Sequence, residues 1–159
     1  MGNSLSELLP KNALDSLVAS VVSEGDVYRM KLDSREGIVG KNSGDISRNK
    51  YFVVIGHDVD GNAIGFFVVN TTINPYINEE RKRCHLKIDS QKYEFLEGVD
   101  RYVDCSALKT ISKERFAELF ASDKLKSKID EFDLSAIKST ASSYRNADMG
   151  LLKRFGIVK

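Results

Sequence analysis

Two apolar runs dominate this chain and restrict the core it can build. Residues 50–56, KYFVVIG, and 63–71, AIGFFVVNT, are nearly apolar throughout and are separated by HDVDGN. Runs this short, rich in β-branched and aromatic residues, read as buried strands. Asp60-Gly61 or Gly61-Asn62 supplies the positive-φ residues of a tight turn, so the pair is expected to close as an antiparallel hairpin. DVDGN resembles the start of a calcium loop, but the later ligands and the bidentate glutamate are missing.

The flanking segments are weaker versions of the same pattern. Over 24–33, Tyr28, Met30 and Leu32 alternate with Val27, Arg29 and Lys31, the period of a half-buried strand. Residues 33–47 read as a long polar loop. Residues 84–89 and 101–111 read as further short strands, with a turn at 89–91 before KYEFL (92–96). From 112 onward the spacing is helical, through 112–120, 122–132 and 133–145. Near the other end, Ser4-x-x-Glu7 is a capping-box pattern. Leu14, Leu17, Val18, Val21 and Val22 then recur at helical spacing, with Pro10 dividing a short turn from a longer helix. The expected architecture is mainly β with C-terminal helices, a small curled antiparallel sheet or barrel. Residues 1–23 are expected as an N-terminal helical extension and 24–159 as the domain proper.

Composition narrows the function classes. At 159 residues, 42% hydrophobic, the chain suits one domain with a real core. Its 24 basic and 23 acidic residues give a net charge of +1, which excludes a uniformly basic nucleic-acid binder. A local basic groove remains compatible with that balance. Cys84 and Cys105 lack metal-ligand or CxxC spacing and read as reduced thiols. No apolar run approaches the ~20 residues of a membrane helix, and no basic n-region or cleavage signature marks a secretory signal. The expected location is the cytoplasm.

Chemistry-bearing motifs are few. The sequence holds no Gly-rich phosphate loop, nucleophile elbow or HExxH. His57 and His85 have no ligand-spaced neighbours, so neither a metal nor a cofactor is expected, and His85 reads as a strand-surface residue, with a catalytic histidine as the alternative. What remains are polar residues at strand edges: Arg48 before the first apolar run, and Asn70, Thr71 and Thr72 at the end of the second. Counting outward from the turn brings position 71 close to position 50, so Arg48 and the threonines come within side-chain reach. A guanidinium fork with neutral hydroxyl donors suits a phosphate. RNA carries its own nucleophile, so such a site needs only to align the 2′-hydroxyl and stabilise charge on phosphorus. Taken alone, ordinary placement is the favoured account of the same residues, since Thr is common at strand ends and Arg on surfaces. Lys41, Lys50, Arg81, Lys82 and Arg83 flank the same end as candidate RNA contacts, and Tyr28 and Tyr76 offer faces for base stacking.

Four segments in order carry a family likeness. GDVYRMKLD (25–33), SRNKYFVVIG (47–56), VVNTTINP (68–75) and the long stretch 85–116, ending in ALKTISKERF, resemble the PemK/MazF-like toxins over about residues 24–130. The resemblance implies an SH3-like barrel with a C-terminal helix, assembled as a homodimer. It implies metal-independent cleavage of single-stranded RNA that leaves a 2′,3′-cyclic phosphate, and inhibition by an antitoxin seated in the RNA groove. The family's catalytic arginine falls on Arg48 and its catalytic threonine on Thr71, with Thr72 at the adjoining hydroxyl. Gly25 and Asp26 match the opening motif, where their part is structural. Asn49 and Lys50 stand where the family usually has proline. The alternative expectation is a non-catalytic barrel that binds a protein or nucleic-acid partner.

Overall fold

The computed structural model describes residues 10–40, 42, 44–121 and 124–159. The Ser4-x-x-Glu7 pattern and Lys41 lie outside the described residues. Strands β1 (Asp26–Asp33), β2 (Ser47–His57), β3 (Ala63–Asn70), β4 (His85–Ile88), β5 (Arg101–Asp104), β6 (Lys109–Ser112) and β7 (Leu125–Lys128) form one antiparallel sheet. Its spatial order is β4-β5-β3-β2-β1-β7, with β6 also paired to β3. On its side away from β2, β3 meets β6 along Ala63–Phe66 and β5 at Val69 and Asn70. The sheet therefore curls into a half-barrel. Helices α1 (Lys11–Ser20), α2 (Glu79–Arg83), α3 (Lys113–Leu119), α4 (Glu131–Ser143) and α5 (Met149–Arg154) flank it.

The hairpin forms as expected. Tyr51 pairs with Val69 and Val53 with Phe67, and a bulge follows Val54. Gly61 takes the turn at φ +70°. The Asp58 carboxylate accepts the backbone N–H groups of Asn62 at 2.8 Å and Ala63 at 3.2 Å, which fixes the loop and thus the register of everything beyond it.

Helices on both faces explain why β2 and β3 are apolar without alternation. Val53, Ile55, Phe67 and Val69 share one core with Ile137 of α4 and Leu152 of α5. Tyr28, Phe52, Val54 and Phe66 share the other with Val22 and Phe116 of α3. A central strand sandwiched this way has no solvent face on which a polar residue would be favourable. The same coverage makes the architecture mixed α/β rather than mainly β.

Two local expectations are corrected. Strand β2 begins at Ser47, so Arg48 lies inside the sheet opposite Leu32 of β1 and not at a loop edge. Residues 122–132, read as helical, contain β7, whose Leu125 and Ser127 pair with Tyr28 and Val27 of β1. Pairing with that edge outweighs the modest helical preference of a Lys-rich stretch. Among the described residues no helix is long and apolar enough to cross a membrane.

Candidate nucleic-acid interface

The end of the hairpin opposite its turn is where β1, β2, β3 and β5 bring polar side chains together. Register does the positioning. Met30 pairs with Lys50, and Arg29 pairs with Tyr51. The pairing of Tyr51 with Val69 sets Lys50 across from Asn70, and the Lys50 Nζ donates to Asn70 Oδ1 at 2.5 Å. On the other flank of β3, Asn70 pairs with Tyr102, which brings the start of β5 and its Arg101 to the same end.

These residues enclose two adjoining cavities with a shared wall. The first, of about 440 Å³, is lined by Arg29, Arg48, Lys50, Tyr51, Thr71 and Arg101. The second, of about 500 Å³, is lined by Arg48, Thr71, Thr72, Arg81, His85 and Asp104. Arg48 and Thr71 belong to both. The sequence expectation that they meet is therefore met, and the threonines are exposed where a ligand can reach them.

The electrostatics are one-sided. Among the described residues no carboxylate is ion-paired with Arg29, Arg48, Lys50 or Arg101, although Glu97 lines the first cavity. Arg29 and Arg101 both lie over the Tyr51 ring, at 5.6 and 5.1 Å, a cation–π arrangement that holds their guanidiniums in place. The Nε of Arg101 is buried without a hydrogen-bond partner. Burial first, then the charges of Arg48 and Arg101, pushes the Lys50 ammonium down to about 8. Like charges held this close raise one another's energy until an anion relieves them, so the arrangement favours a phosphate-bearing ligand.

The second cavity holds a more structured set. The Arg81 carbonyl accepts a hydrogen bond from His85 Nδ1 at 2.8 Å, and His85 Nε2 stands 3.7 Å from Asp104 Oδ1. Asp104 Oδ1 in turn accepts the Ser106 hydroxyl at 2.5 Å and the Ser106 N–H at 3.0 Å. Arg81 Nε reaches the Ser106 Oγ at 3.4 Å.

Of the residues singled out in the sequence, Arg48, Lys50, Asn70, Thr71, Thr72 and Arg81 line these two cavities. Arg83 does not. It is exposed and lines a separate cavity with Glu80 and Tyr144. Tyr28 is corrected from a stacking face to a core residue: it is 1% exposed, stacked on Phe52 and edge-on to Phe116. Burial, then the Asp26 carboxylate, pushes its hydroxyl up to about 12. Tyr76 is 94% exposed.

Sequence reasoning missed Arg29, Arg101 and Asp104, and favoured a strand surface for His85. For Arg29 the signal was present, since alternation in β1 turns it away from Tyr28 and Met30. For Arg101 and Asp104 it was not, because the pairing of β5 with β3 leaves no local signature. No family model matches the chain, and no curated protein matches it.

Proposed function

We propose that this protein is a metal-independent endoribonuclease of the PemK/MazF-like toxin type, an SH3-like barrel that cleaves single-stranded RNA by attack of the 2′-hydroxyl on the adjacent phosphate. The observation that carries this reading is the convergence of Arg29, Arg48, Lys50 and Arg101, without ion-paired carboxylates, on a cavity bordered by the Thr71 hydroxyl. Arg48 and Thr71 sit in the wall common to both cavities, where a phosphate between them would be reached from either side. The guanidinium fork binds non-bridging oxygens and stabilises the added charge of the pentacoordinate phosphorus, while Thr71 and Thr72 supply neutral donors. Arg29 and Arg101 are placed for the neighbouring phosphates of an extended strand. An antitoxin segment that silences the enzyme would carry acidic residues into the same cleft, and assembly as a homodimer follows from the family likeness alone.

The test is direct. Purified protein is incubated with a mixed-sequence single-stranded RNA pool in EDTA, and the ends are mapped. Wild type is expected to leave 2′,3′-cyclic phosphates. Arg48→Ala is expected to lower kcat/KM by about 10²- to 10³-fold, and Thr71→Val by less, both with unchanged circular dichroism. RNA that is bound but not cut overturns the enzymatic reading and leaves a binding module. Full activity in Arg48→Ala overturns the assignment of that residue.

A further inference from the structure

His85 is a titratable side chain that the phosphate site leaves unused, and its surroundings are specific. It is the first residue of β4, directly after α2, and its Cα partner on β5 is Asp104. The Arg81 carbonyl at the end of α2 can only accept a hydrogen bond, so His85 Nδ1 must carry the proton that it donates at 2.8 Å. In the neutral ring that leaves Nε2 as a lone pair, fixed in orientation by the helix end. Its nearest carboxylate, Asp104 Oδ1, is 3.7 Å away, too far for a hydrogen bond. The side chain is 4% exposed, and it lines the cavity that Arg48, Thr71 and Thr72 also line.

Resting on the proposed RNA cleavage, we propose that His85 is its general base and Asp104 the group that faces the charge His85 acquires. Nε2 takes the proton of the 2′-hydroxyl, and the 2′ oxygen's electron pair forms the bond to phosphorus. The bond from phosphorus to the 5′ oxygen breaks, and that oxygen leaves with the bonding pair and takes a proton from water. The imidazolium then releases its proton to solvent, which restores the enzyme. The charged groups that face the ring are Asp104 of β5, Arg81 of α2 and Arg48 across the cavity from β2. Asp104 is held in place by Ser106, so the carboxylate stays aimed at Nε2 while the ring changes charge.

The experiment compares pH profiles of kcat/KM on the RNA pool in EDTA. Wild type is expected to show an acid limb of unit slope. His85→Asn keeps a donor for the Arg81 carbonyl but has no basic nitrogen. It is expected to lose that limb and ~10²- to 10⁴-fold in rate while binding RNA as before. Added imidazole is expected to restore part of the activity of His85→Gly. A second measurement needs no variant: a 2′-O-methyl oligonucleotide, which binds without being cut, should shift the His85 ring resonances of the wild-type protein. An active wild type whose acid limb survives in His85→Asn overturns this inference alone, as do His85 resonances untouched by the bound oligonucleotide. A wild type that yields no cyclic ends overturns the cleavage reading itself, and the base with it.

Discussion

Lys50 shows how the cleft sets function against stability at a single residue. Only 8% exposed, its ammonium is held by Asn70 and crowded by Arg48 and Arg101, which together with burial bring it down to about 8 from an ordinary 10.5. Folding thus disfavours the charged form. Between about pH 8 and 10.5 the unfolded chain holds the proton that the folded chain has released, so stability rises with pH across that window. Below about 8 both states are protonated and the full penalty is present. Lys50→Met removes the buried charge and keeps the length of the side chain. It is predicted to stabilise the protein at neutral pH by up to roughly 3 kcal/mol, since each tenfold loss of proton affinity on folding costs ~1.4 kcal/mol. The gain should shrink as pH is raised toward the ordinary lysine range. Urea melts of the two proteins at neutral and alkaline pH check this, and a Lys50→Met that is weaker than wild type at neutral pH contradicts it. Weaker RNA binding by the more stable variant would be the expected counterpart, because groups placed for a ligand are seldom placed for stability.

At the scale of the element, β3 is fixed by packing as much as by pairing. A Cβ built on Gly65 would lie 2.7 Å from Cδ1 and 2.9 Å from Cγ of Phe155, the residue that caps α5. The missing side chain is what lets the end of α5 settle on the sheet. Gly65→Ala is predicted to destabilise by about 1–3 kcal/mol through overpacking. The loss should be much smaller in a Phe155→Ala background, since the two sites share one space. Thermal melts of the four proteins in the cycle decide it, and strictly additive losses refute the contact. Such a contact shows where the sequence stops being legible. The β2–β3 hairpin could be read because its apolar runs, its Gly61 turn and hence the meeting of Arg48 with Thr71 are local. Strand β7 could not, because Leu125-Lys126-Ser127-Lys128 carries little strand signal and is held by β1 from the far end of the chain. Likewise His85 and Asp104 are neighbours only through the pairing of β4 with β5, and Arg101 reaches the cleft only through the pairing of β5 with β3.

Across the whole molecule, a net charge of +1 conceals an uneven distribution. Elsewhere several cations are answered by acids: Arg35 and Arg115 by Asp33, Lys92 by Asp130 and Asp133, Arg154 by Asp58. Among the described residues Arg29, Arg48, Lys50 and Arg101 have no such partner, and they converge on one cavity. Under the proposed function this difference is measurable as salt dependence. Each phosphate neutralised on a single strand adds ~0.7 to the slope of log K against log salt. Arg101→Gln is predicted to lower the slope by about that amount, along with affinity, because Arg101 lies over Tyr51 in the cleft. Arg83→Gln removes the same charge from the molecule but from a separate cavity beside Glu80, and is predicted to leave the slope unchanged. Fluorescence anisotropy with a 2′-O-methyl oligonucleotide over a salt series separates the two cases. Equal slope losses in both variants would mean that the RNA senses the overall charge of the protein, and the localised track from Arg29 to Arg101 would have to be abandoned.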